Sequence, residues 1–202
     1  MTLEVITPAE VEPLEVSDLY DHLSLFTDGS PPASAYDEWI ETAISAAREH
    51  CEAITRRTII KTVFKYTVDR FPAFAEPIML PVSPLISVDS IEYTDEAGAT
   101  QSFTDFDTSN EQQRPELFPS HGVNWPSVRR QRNGVRITLT AGYRPSGSPE
   151  DLRANVPARF EQAIKYLVAG MDMQREHVVV GSIIAEDKTL MSLLWPLRLY
   201  EV

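Results

Sequence analysis

The sequence is poor in the residues that disulfide scaffolds, membrane proteins and nucleic-acid binders depend on. It has one cysteine among 202 residues, so no intrachain disulfide forms and a reducing compartment is the simplest setting. No apolar run is long enough to span a bilayer. The opening "MTLEVITPAEVEPLE" has neither the basic region nor the apolar core of a secretory signal. Positive charge is short: 18 Lys and Arg stand against 30 Asp and Glu, a formal net charge of −12. A surface of that sign repels duplex DNA, so a broad nucleic-acid interface is not expected. Histidine is scarce, and no two of His22, His50, His121 and His177 stand at the i, i+4 spacing that places two ligands on one helix face. A zinc site is therefore not expected.

What is present suffices for a packed domain. Hydrophobic residues make up 43% of the chain, and its length fits one domain with a subdomain inserted. The 15 prolines fall mostly between periodic segments and read as loop punctuation, and the chain holds no internal repeat.

The periodicity predicts an α+β fold. Residues 1–14 read as extended, and a short helix with an acidic start (Asp18, Asp21) is expected over 17–25. "TDGSPP" breaks it. A long helix follows over 34–57, with Ser34 and Asp37 as its N-terminal cap. Its apolar stripe is Ile40, Ala43, Ile44, Ala47, Cys51 and Ile54, and Arg56 and Arg57 suit the negative end of its dipole. From Thr58 the composition turns β-branched and aromatic, and 59–141 reads as an inserted antiparallel β subdomain. Asp95 to Gly98 marks one hairpin turn, and Asn133-Gly134, between "VRRQR" and "VRITLTAGY", marks a type I′ turn. Helix returns over 157–176, with Pro157 in its first turn and Phe160, Ala163, Ile164, Leu167, Val168 and Met171 as its stripe. A C-terminal segment, 177–202, closes the chain, and Pro196 interrupts helix there.

No residue set points to catalysis. Cys51 lies on an apolar stripe, which makes it a buried, inert thiol rather than a nucleophile. "SGSPED" lacks the order and context of a nucleophile elbow. No pair of carboxylates stands out from the many acidic residues. Two features read as contact surfaces instead. Arg129, Arg130 and Arg132 form the one basic cluster, suited to phosphate, to an acidic neighbouring subunit, or to a solvated loop tip. Leu193, Leu194, Trp195, Leu197, Leu199 and Tyr200 crowd the C-terminal segment, which must pack on its own core or dock on a partner.

Taken in order, "ITPAEVEPLEVSDLYDHL", "WIETAISAAREHCEAITRRTI", "LPVSPLISVDSIEYTDEAGA", "VRITLTAGY", "VPARFEQAIKYLVAGMDMQRE" and "LLWPLRLYEV" resemble the head–tail connector (adaptor) proteins of long-tailed bacteriophages, the gp6-like set among them. Gene transfer agents carry similar proteins. The stretch from Gln101 to Arg132 has no counterpart in that resemblance. The resemblance implies a structural virion protein and not an enzyme. It implies a homo-oligomeric, dodecameric ring beneath the portal that joins capsid to tail and extends the DNA channel. It implies portal protein and stopper or tail proteins as partners, DNA that passes without specific binding, no membrane and no cofactor. It also implies a place in the virion of a tailed phage or phage-like particle, assembled in the host cytoplasm. On this reading 177–202 is a docking arm for the portal or a neighbouring subunit. Two other readings stand beside it: a small β-containing module that binds a tail or glycan through Tyr93, Phe103 and Phe106, and a hydrolase with dispersed acidic residues.

Overall fold

The computed structural model describes residues 1–23, 34–110, 114–147, 150–173 and 188–199, with no side-chain detail at 34 and 35. It is an α+β protein that divides into two compact units. One comprises Met1–Glu10 and Ile60–Ala154, the other Val11–Ile59 and Asn155–Val202.

The first unit is built on an antiparallel five-stranded sheet in the order β1-β2-β8-β4-β5. Its strands are β1 (Thr2–Thr7), β2 (Thr62–Val68), β4 (Leu85–Thr94), β5 (Thr100–Ser102) and β8 (Val135–Ala141). β8 lies at the centre because every second residue is apolar: Val135, Ile137, Leu139 and Ala141 are all buried. The extended N-terminal segment becomes β1, an edge strand paired to β2, so the β unit reaches outside 59–141 at both ends. A second, three-stranded sheet has the order β3-β7-β6, with β3 at Ile78–Met79, β6 at Phe106–Ser109 and β7 at Glu116–Pro119. Two of its strands come from the stretch between Gln101 and Arg132 that matched no known pattern. That stretch also supplies Trp125, which stacks on Phe71 at 4.7 Å and donates its indole N–H to the Glu76 carbonyl at 2.8 Å.

Of the two turns expected here, one forms as a hairpin and one does not. Asp95 to Gly98 joins β4 to β5, and Gly98 takes a φ of 91°. Asn133-Gly134 is not a hairpin, because "VRRQR" forms no strand. Asn133 has positive φ, at 57°, whereas Gly134 does not, so a type I′ turn is not made. Gly134 is needed for another reason: a Cβ there would lie 2.6 Å from the Asp69 carbonyl oxygen.

The second unit is helical: α1 (Ser17–Tyr20), α2 (Ser34–Thr55), α3 (Ala158–Met173) and α4 (Lys188–Leu194), the last running into a 3₁₀ turn at Trp195–Leu197. α1 is shorter than the 17–25 expected; residues 24 and 25 lie outside the described set. α2 packs on α3 through Ile40, Ala43, Ile44, Ala47 and Cys51 on one side and Phe160, Ala163, Ile164 and Val168 on the other, all buried. The Tyr36 hydroxyl donates to Asp172 and ties the start of α2 to the end of α3. At the C-terminal end of the stripe, Thr55 is fully buried and Ile54 only half-buried. The Thr55 hydroxyl can go inside because it donates to the Cys51 carbonyl at 2.7 Å. α2 then stops at Arg56, whose φ of 57° and N–H bond to the Glu52 carbonyl make the left-handed cap usually built on glycine.

Candidate assembly surfaces

The basic loop is held at both ends. Val128 packs against the core of the β unit, and the Arg129 N–H donates to the Thr94 carbonyl at 3.0 Å. At the far end the Asn133 N–H donates to Asp69 Oδ1 at 2.9 Å. Arg129, Arg130 and Arg132 are therefore exposed side chains on a pinned backbone. The Arg129 guanidinium lies over the β4–β5 turn, 2.9 Å from where a Cβ on Gly98 would be. The same contact between Asp69 and Asn133 brings exposed Arg70 to this end of the sheet. Sequence reasoning missed Arg70, because only strand register joins it to the cluster; the signal available was the pairing of Val68 with Val135. Among the described residues none of these four guanidiniums has a hydrogen-bond or ion-pair partner.

The C-terminal residues 188–199 split by direction. Leu190, Leu194 and Leu199 are buried in the helical unit. The Leu199 N–H donates to the Thr55 carbonyl at 3.0 Å, and Arg57 Nε donates to the Leu197 carbonyl at 2.6 Å. These bonds satisfy carbonyls that the end of α2 and the end of the 3₁₀ turn would otherwise leave open. Leu193 and Leu197 are half-buried, whereas Trp195 is 51% exposed with the Arg198 guanidinium 5.6 Å from its ring. So Leu194 and Leu199 are committed to their own unit, whereas Trp195 keeps about half of its surface exposed. Tyr200, Gly181 and the run "VVVGSII" lie outside the described residues.

Other apolar groups also face outward. Every residue of β1 is exposed, including Leu3, Val5 and Ile6. Phe74 is 85% exposed and holds a φ of 56°, a left-handed conformation that costs a bulky residue on the order of 1–3 kcal/mol. Met173 is 86% exposed at the end of α3.

The buried polar groups have structural partners. Arg48 bridges Glu12 at 2.8 Å and Glu52 at 3.0 Å. Burial raises the Glu52 pKa above its ordinary value, against the opposing pull of the Ile59 N–H and Arg48. Burial likewise pushes the Cys51 thiol up to about 12, which leaves it protonated and unreactive. His22, His50 and His121 are exposed, and His177 lies outside the described residues. Among the described residues no group of His, Cys, Asp and Glu side chains is placed to hold a metal ion, and no helix is long and apolar enough to cross a membrane. Tyr93, Phe103 and Phe106 do not form an open aromatic platform. They are half-buried against the β core, with Phe103 at 5.3 Å from Trp125 and Tyr93 at 5.9 Å from Phe71.

No protein-family model and no curated protein matches the chain. Solved structures do, over its whole length. A chain from the virion of a native gene transfer agent particle superposes with a TM-score of 0.78 at 23% identity, covering 100% of this chain and 97% of that one. A chain from the neck of an empty gene transfer agent particle, solved with C6 symmetry, gives 0.77 at 23% identity with the same coverage. A third, from the neck of the native particle with C12 symmetry, gives 0.74 at 22% identity, again with the same coverage. The chain thus has the fold of proteins found in the neck of phage-like particles.

Proposed function

We propose that this chain is a structural protein of the neck of a tailed phage or phage-like particle, and that its copies close into a ring beneath the portal. The observation that carries this reading is the end-to-end match, without insertion of a further domain, to chains from necks with C6 and C12 symmetry. The ring joins capsid to tail and extends the DNA channel. Its partners are its own copies, the portal protein and the stopper or tail proteins.

The surfaces fit that role. A ring subunit needs several contact patches, and this chain keeps Trp195, Phe74, Met173 and the whole of β1 exposed. Trp195, flanked by Leu193 and Leu197, is the anchor proposed for the portal. The net charge of −12 suits a conduit, because a wall that makes few phosphate contacts lets DNA slide. The role is non-enzymatic on this reading.

The test is co-expression with the portal protein of the same particle. The expected result is a stable complex that images as a ring stacked on the portal. A chain that stays monomeric and separates from the portal would overturn the proposal.

A further inference from the structure

We infer that the basic loop of one copy docks on the outer face of α2 in the next copy, with Arg70, Arg129, Arg130 and Arg132 pairing with Glu38 and Glu41. The inference rests on the ring reading. A closed ring of like subunits joins each copy to the next through two different patches that complement each other.

Both patches are on this chain. The loop and the neighbouring Arg70 present four exposed guanidiniums, none with a partner among the described residues, and the loop backbone is fixed by the Thr94 and Asp69 contacts. The solvent face of α2 presents Glu38 and Glu41, one helical turn apart, and neither carboxylate has a partner among the described residues. The remaining exposed positions on that face include Thr42, Ala46 and Ala53, short side chains that leave planar guanidiniums a clear approach. Glu49, further along, is already within 3.9 Å of Arg48.

Charge decides the occupant. Arginine forks match carboxylates two bonds at a time, and a rigid loop loses little entropy on pairing. A nucleic acid would meet these four cations on a molecule whose net charge is −12, so the approach of DNA is opposed where the approach of an acidic helix is favoured.

The experiment is a charge swap read by assembly mass. One variant carries Arg129→Glu, Arg130→Glu and Arg132→Glu, the other Glu38→Lys and Glu41→Lys. All five positions are exposed, so both variants fold, which circular dichroism checks. Each variant alone is expected to stay dissociated at protein concentrations where the unmodified chain assembles. An equimolar mixture is expected to regain the assembly, because loop and helix then attract again at every contact around an alternating ring. Unmodified assemblies should also loosen as salt rises. If both variants assemble like the unmodified chain, the contact is wrong while the ring reading stands. If the unmodified chain fails to self-associate even with portal present, the ring reading itself fails and takes this contact with it. If the loop variant assembles normally but alone loses affinity for a DNA duplex, the arginines serve phosphate and the inference is overturned.

Discussion

The Leu199 N–H donates to the Thr55 carbonyl oxygen at 3.0 Å, and this bond closes the C-terminal end of α2. Beside it the fully buried Leu194 and the half-exposed Trp195 are neighbours in sequence in opposite surroundings. Leu194→Ala should lower the unfolding free energy by about 2–5 kcal/mol, the usual cost of a leucine-sized cavity. Trp195→Ala should change it by only about 0.5 kcal/mol, as exposed substitutions do, yet weaken capture by the portal. Urea denaturation midpoints and a portal pull-down separate the two. Equal destabilisation by both changes would make the tryptophan part of the fold.

The α2–α3 seam carries the helical unit. Ile44 is 1% exposed against α3, so Ile44→Asp buries an unpaired charge and should leave the chain without a cooperative thermal transition. Leu167→Asp should be milder, because Leu167 is only half-buried and the carboxylate can reach water. Circular dichroism melts check both. A normal melt for Ile44→Asp would contradict the seam.

Cys51 is fully buried with its pKa pushed up to about 12. The native protein should not react with an aromatic disulfide reagent at mildly alkaline pH. In guanidinium chloride one thiol per chain should react at once. Rapid labelling of the native chain would mean that the seam opens on the time scale of the reaction.

Glu52 gives the fold a pH dependence of known sign. Its folded-state pKa is raised from 4.5, chiefly by burial, so the folded chain holds this proton more tightly than the unfolded chain. The stability this group contributes is fully present below 4.5 and is lost as pH rises through its raised folded value. Glu52→Gln keeps an acceptor for the Ile59 N–H, which lies 2.7 Å from Glu52 Oε1, and should flatten that part of the stability curve. Thermal melts across the acid range read the difference, and an unchanged slope would assign the titration elsewhere.

The helices and the central strands were legible because their signals are local. The stripe of α2 and the alternation in β8 follow from residue spacing alone, and both sets are buried with the exception of Ile54. What was not legible depended on tertiary partners. Thr55 displaces Ile54 from the core because its hydroxyl finds a carbonyl one turn back. Asn133-Gly134 carries a hairpin sequence, but the glycine is used for a close approach of the Asp69 backbone. The three-stranded sheet is made of strands no longer than four residues, too short to show a period. Arg70 joins the basic loop only through the register of β2 with β8. The C-terminal segment read from composition as a single arm, and burial divides it residue by residue.

The ring proposed for this chain in the neck of a phage-like particle is tested by mixing the chain with the portal protein of the same particle and recording the mass and image of the complex. One closed ring coaxial with the portal is expected, of twelve copies if it follows the C12 neck. A portal left bare beside monomeric chain would contradict it.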